Sequence, residues 1–117
     1  MYLIYETRSI PLELGKKLTI GRNGHGADIE VDSRRVSREH AQIERKSEGV
    51  FIIDLESANG TKVNEKRLQP NVWSSLEPED MVSIASLTFY LSTKKPTQKK
   101  EQEEIKMDNN RRRKRGL

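Results

Sequence analysis

The chain has 117 residues, no cysteine, two histidines and a formal net charge of +4. Disulfides and thiolate metal sites are thereby excluded, and neither His25 nor His40 belongs to a His/Asp/Glu group with metal-ligand spacing, so no metal and no cofactor is expected. No apolar run approaches the roughly 20 residues of a membrane span, and the opening Met1–Glu6 does not read as a secretion signal.

The charge is unevenly spread. Residues 1–92 hold 12 Lys/Arg against 14 Asp/Glu, whereas residues 93–117 hold 10 against 4. This predicts one near-neutral domain over 1–92, followed by a basic tail over 93–117.

Apolar residues in the first part come in short bursts. In chain order they are Tyr2–Tyr5, Leu18–Ile20, Ile29–Val31, Ala41–Ile43, Val50–Leu55, Lys62–Val63, Met81–Ile84 and Thr88–Leu91. Several alternate apolar and polar, as in Ile29-Glu30-Val31 and Ala41-Gln42-Ile43, which is the pattern of half-buried strands. Turn signals lie between them: Gly24-His25-Gly26, Ser47-Glu48-Gly49, Asn59-Gly60, Val63–Lys66 and Glu77–Asp80. No window carries a helical apolar stripe. Many short strands in about 90 residues predict an all-β sandwich. From Thr93 onward the chain has little to bury, and residues 93–117 are expected to be disordered or weakly helical. Five consecutive basic residues, Arg111–Arg115, close this stretch.

Three segments at strand–loop borders carry most of the chemistry: Gly21-Arg22-Asn23, Ser37-Arg38-Glu39-His40 and Ser57-Ala58-Asn59-Gly60-Thr61. Together they offer a guanidinium, a hydroxyl, a carboxamide and several backbone amides. That set suits a phosphate and the peptide that carries it. Arg22 can hold two phosphate oxygens in one planar fork, Ser37 can donate its hydroxyl, and Arg38 can add its backbone amide and side chain. Taken alone, a single arginine is usually a solvated surface residue and a single serine commonly a turn or capping residue.

Read in order, the three segments resemble the forkhead-associated (FHA) domain, a phosphothreonine-binding β-sandwich. The resemblance spans about residues 1–92, and its motif-bearing part is residues 18–72. It implies an eleven-strand sandwich with binding loops at one end. It implies that Arg22, Ser37 and Arg38 contact phosphate and that Asn59 hydrogen-bonds the ligand main chain. Gly21, His40, Gly60, Thr61 and Asn64 then support the loops, and His40 is a brace rather than a general base. In such domains a residue just ahead of the serine can select the side chain three places after the phosphothreonine. Here that residue is Arg35, with Arg34 beside it, and an acidic side chain is expected there. One position departs from the family: Ala58 stands where many members keep Thr or Ser, so a hydroxyl is lost and only the amide remains.

The expected function is recognition without catalysis: a monomer that recruits a phosphothreonine-bearing partner in the nucleus, in DNA damage response or in transcription and RNA processing, with no membrane role. The tail resembles a nuclear localisation signal, with cytoplasmic residence as the alternative. It could equally be a solvated linker or make weak nucleic-acid contacts. Two rival readings stay open. One is an FHA-shaped scaffold that binds unphosphorylated protein or itself; the other is a nucleic-acid-binding β domain, which the few aromatics and slightly acidic domain disfavour.

Overall fold

A computed structural model describes residues 1–94. It contains eleven strands: β1 (Tyr2–Tyr5), β2 (Arg8–Pro11), β3 (Lys17–Arg22), β4 (Ile29–Val31), β5 (Ala41–Lys46), β6 (Gly49–Asp54), β7 (Thr61–Val63), β8 (Lys66–Arg67), β9 (Ser74–Leu76), β10 (Met81–Ile84) and β11 (Leu87–Ser92). No helix occurs among the described residues. The fold is the all-β sandwich implied by the sequence resemblance. The tail beyond Lys94, including Arg111–Arg115, lies outside the described residues.

The strands form two sheets. One has the order β2-β1-β11-β10-β7-β8, the other β4-β3-β5-β6-β9. Period-two alternation determines which side chains meet between them. Ala41 and Ile43 of β5 and Val50 and Ile52 of β6 are buried in the core, whereas Gln42 and Glu44 face outward. On the facing sheet Leu3, Val82, Ile84, Phe89 and Leu91 turn inward, and the Tyr5 and Phe89 rings stack with centroids 4.5 Å apart. Each fully buried large side chain contributes roughly 1.5–3 kcal/mol. The one ion pair among the described residues, Lys16 with Glu13 at 4.0 Å, is exposed and worth about 0–1 kcal/mol. Apolar burial therefore holds the sandwich together.

Register brings the loops to one end. Ile20 pairs with Ala41 and Ala41 with Asp54, so the end of β3, the start of β5 and the end of β6 lie side by side. In the other sheet Ile84 pairs with Thr61, placing the start of β7 and the β10–β11 turn together. Strands β3 and β4 are parallel neighbours joined only by residues 23–28. Such a short return needs an abrupt reversal, which Gly24 and Gly26 supply with φ of 91° and 85°. Three strands carry no apolar burst in the sequence: β2, β8 and β9. At the other boundaries β3 extends beyond Leu18–Ile20 to Lys17–Arg22, and β6 stops at Asp54, leaving Leu55 outside.

Candidate functional site

Arg22 is the last residue of β3, and its backbone N–H donates to the Ser37 carbonyl at 3.0 Å. This bond joins the first two sequence segments directly. Gly21 makes the approach feasible. A Cβ added there would stand 1.9 Å from the Arg38 carbonyl oxygen and 2.9 Å from its carbon. The requirement is proximity to backbone rather than unusual φ, and backbone cannot swing aside as a side chain can. Gly21→Ala should therefore push the Ser37–Arg38 segment outward, costing about 1–3 kcal/mol or more in urea denaturation. Wild-type stability would show that the loop yields without penalty.

His40 is fully buried and uses both ring nitrogens. The Ser37 N–H donates to Nδ1 at 3.0 Å, and Nε2 lies 2.8 Å from the Gly60 carbonyl. The backbone donor at Nδ1 requires an unprotonated nitrogen there, so Nε2 carries the hydrogen and donates to Gly60. The imidazole thus bridges the second and third segments. Its backbone is committed too: its N–H donates to Ile20 and its carbonyl accepts from Leu55, both at 2.9 Å.

The third segment folds around a buried carboxylate. Asp54 Oδ1 accepts from the Ser57 hydroxyl at 2.5 Å and the Thr61 hydroxyl at 2.7 Å, and Oδ2 accepts from the Ser57 N–H at 3.1 Å. Ser57 Oγ in turn accepts from the Gly60 N–H at 3.0 Å. Sequence reasoning missed Asp54 and Ser57 as organising residues. The available signal was an aspartate with hydroxyl residues three and seven places on. Gly60 takes φ of 82°, and the Arg67 guanidinium lies so close that a Cβ there would stand 2.8 Å from Arg67 Cζ.

Two sequence expectations gain detail. The amide of Ala58, whose own side chain has no hydroxyl, donates to Ser37 Oγ at 3.1 Å. It is therefore committed to the protein, and the Ser37 hydroxyl proton remains undonated among the described residues. Asn59 Nδ2 donates to the Arg35 carbonyl at 2.7 Å, which leaves Oδ1 and the second amide hydrogen free of partners among the described residues. The side chains of Arg22, Arg35 and Arg38 likewise donate no hydrogen bond among the described residues. Arg22 and Ser37 are half-buried, while Arg38, Asn59, Arg34 and Arg35 are exposed.

A groove of about 380 Å³ adjoins Asn59, lined by Arg35, Asn59, Gly60, Lys62, Glu65, Ser83 and Ala85. Arg34 is not among its lining residues. Lys62, Glu65, Ser83 and Ala85 were not legible in the sequence, because only strand register brings them beside Arg35. Asn64 sits in its own hairpin. Its side chain donates to Asp80 at 2.9 Å and accepts from the Met81 N–H at 3.0 Å. With φ of 50° at Asn64 and 70° at Glu65 it forms the hairpin turn between β7 and β8.

The chemistry available is thus a guanidinium, a hydroxyl with a spare proton and a carboxamide, held at one end of a rigid sandwich. Among the described residues no group of three or more His, Asp or Glu could hold a metal ion. This combination of sandwich and loops defines a class. The FHA domain family model matches residues 18–85, and the chain belongs to that family. It is 33% identical over 84 residues to the human nuclear inhibitor of protein phosphatase 1, a match covering 69% of this chain and 24% of that protein. In structure it is similar to the FHA domain of CT664 from Chlamydia trachomatis, with a TM-score of 0.70, 26% identity, and coverage of 80% of this chain and 95% of that one. It is also similar to Mycobacterium tuberculosis EmbR in complex with a low affinity phosphopeptide, with a TM-score of 0.71, 31% identity, and coverage of 84% of this chain and 25% of that one. The chain spans at most about a quarter of the length of the curated relatives it matches.

Proposed function

We propose that residues 1–92 form a non-catalytic module that binds a phosphothreonine-containing protein segment at the loop end. The observation that carries this reading is the Arg22–Ser37 pairing. One backbone bond ties the residue that bears the guanidinium to the residue that bears the hydroxyl, and the Ala58 amide occupies a lone pair on that hydroxyl while leaving its proton free. Phosphate oxygens are acceptors only, so they match both donors. In this reading Arg22 and Ser37 carry the phosphate, Arg38 assists, and Asn59 meets the ligand main chain through its uncommitted groups. His40, Gly21, Gly60 and Thr61 hold the loops. The partner is a phosphorylated protein, and the module acts as a monomer in nuclear signalling. The likeness to a nuclear inhibitor of protein phosphatase 1 and to a structure in complex with a phosphopeptide supports the nuclear and phosphopeptide parts of that reading.

The test is titration of the 117-residue chain with a degenerate phosphothreonine peptide pool and with its unphosphorylated twin. Binding should require the phosphate and weaken as pH falls through about 6, where the dianion gains a proton. Equal binding of the two pools would turn the assignment to a phosphate-independent scaffold.

Groove charge suggests the selectivity. Arg35 and Lys62 line it against a single acid, Glu65. A ligand Asp or Glu about three places after the phosphothreonine would meet two cations there. Arg35→Glu should reverse the preference to Lys or Arg, with a change of about fivefold to tenfold on a peptide array. An aliphatic preference in the wild type would reject this assignment.

A further inference from the structure

A second depression, of about 370 Å³, opens on the outer face of the six-stranded sheet, lined by Asn64, Glu65, Met81, Ser83 and Thr88. Glu65 and Ser83 also line the groove beside Asn59, so the two join into one trough. Its floor follows from register. Lys62, Ser83 and Thr88 are direct partners across β7, β10 and β11, and Met81 pairs with Tyr90 one outward-facing position further along. Their neighbours Val82, Ile84 and Phe89 fill the core, so this row faces outward. The trough begins charged, at Arg35 and Lys62, and ends at Met81, which is 44% exposed.

We infer that the trough seats more of the same peptide than its phosphate-proximal part, and that an apolar side chain of the ligand (Leu, Met or Phe) rests on Met81. The inference rests on the phosphothreonine-segment reading. Continuity with the loop-end site identifies the occupant, because a chain leaving Asn59 along β10 meets Ser83 and then Met81. Met is suited to such a contact, since its unbranched polarizable side chain adapts to varied apolar partners. From Ser83, the β10 partner of Lys62, to Met81 the strand advances about 7 Å at 3.3 Å per residue. The apolar ligand residue therefore lies about two positions beyond the one seated at Lys62.

The experiment uses the 117-residue chain and degenerate peptide pools with one fixed phosphothreonine. A short pool keeps about three residues on each side. Long pools add about five residues on one side or the other, with Leu or Asp fixed at each added position in turn. One Leu-containing long pool should bind about tenfold tighter than the short pool and its Asp counterpart. Met81→Glu and Thr88→Glu, both at exposed positions, should each abolish that gain while leaving short-pool affinity unchanged. If no extension strengthens binding, or if the gain survives both substitutions, the extended seat is wrong while the phosphate reading stands. If the short pool ignores its phosphate, the loop-end reading falls and the extended seat falls with it.

Discussion

Arg22→Ala is expected to abolish phosphate-dependent binding and leave the fold intact. The arginine backbone N–H, which joins β3 to the Ser37 loop, survives the substitution. Only the guanidinium is lost, and among the described residues it donates no hydrogen bond to the protein. Truncating a half-buried side chain that makes no hydrogen bond should cost no more than about 1 kcal/mol. Binding should respond very differently. A charge-assisted hydrogen bond is worth about 1.5–3 kcal/mol, and a bidentate fork makes two. Affinity should therefore fall by roughly a hundredfold or more, to the level of the unphosphorylated peptide. Titration calorimetry with urea denaturation on the same sample separates the two effects. Arg22→Lys is the sharper comparison. Lysine keeps the charge but offers no planar fork, so it should recover only part of the lost affinity. Full recovery would mean that Arg22 acts as a point charge; unchanged phosphate dependence in Arg22→Ala would remove it from the site.

Much of the fold was legible, and the omissions share a physical cause. The apolar bursts coincide with β1, β3, β4, β5, β6, β7, β10 and β11, whose inward residues build the core. The strands without a burst, β2, β8 and β9, all lie at sheet edges. An edge strand exposes unpaired backbone and is kept short, charged or interrupted by proline to discourage pairing with other chains. Accordingly β2 ends in Pro11, β8 is Lys66-Arg67, and β9 offers only Leu76 to the core. The fourth edge strand, β4, was readable because Ile29 and Val31 both reach the core.

The loop-end site was legible to the extent that its residues are contiguous in sequence. Arg22, Ser37, His40 and Asn59 fall within short motifs at strand ends. What joins those motifs is not sequential. The need for Gly21 arises from the Arg38 carbonyl, and the groove beside Asn59 is completed by Lys62 and Ser83, paired across β7 and β10. Composition holds no trace of such contacts. The Ala58 departure also changed meaning: its amide positions the Ser37 hydroxyl, so the missing side chain does not free a donor for ligand.

The largest stability effect is expected at Asp54. Its carboxylate is 1% exposed and accepts three hydrogen bonds, two from Ser57 and one from Thr61, at the two ends of the segment that carries Asn59. Its own carbonyl accepts from the Asn71 N–H at 2.8 Å, tying the same point to a further loop. Asp54→Ala would strand two hydroxyls and an amide in a site that excludes water, and each unsatisfied buried group costs about 1–3 kcal/mol. Allowing for relaxation, the loss should be about 3–5 kcal/mol, a large part of the 5–15 kcal/mol typical of a whole domain. A melting temperature lowered by roughly 10–25 °C is the expected readout. Asp54→Asn tests charge and acceptor count at constant shape. One oxygen becomes an NH2 group, which must face either the Ser57 amide or the hydroxyl pair, so part of the network breaks whichever way it turns. Thr61→Val removes a single donor and should cost less, about 1–2 kcal/mol. These variants also connect stability to binding. In Thr61→Val, measured where the fold is intact, phosphopeptide affinity should fall only to the extent that Asn59 loses its fixed position. If Asp54→Asn melts with the wild type, the carboxylate does not organise the loop, and the position of Asn59 must depend on His40 and the Arg35 carbonyl alone.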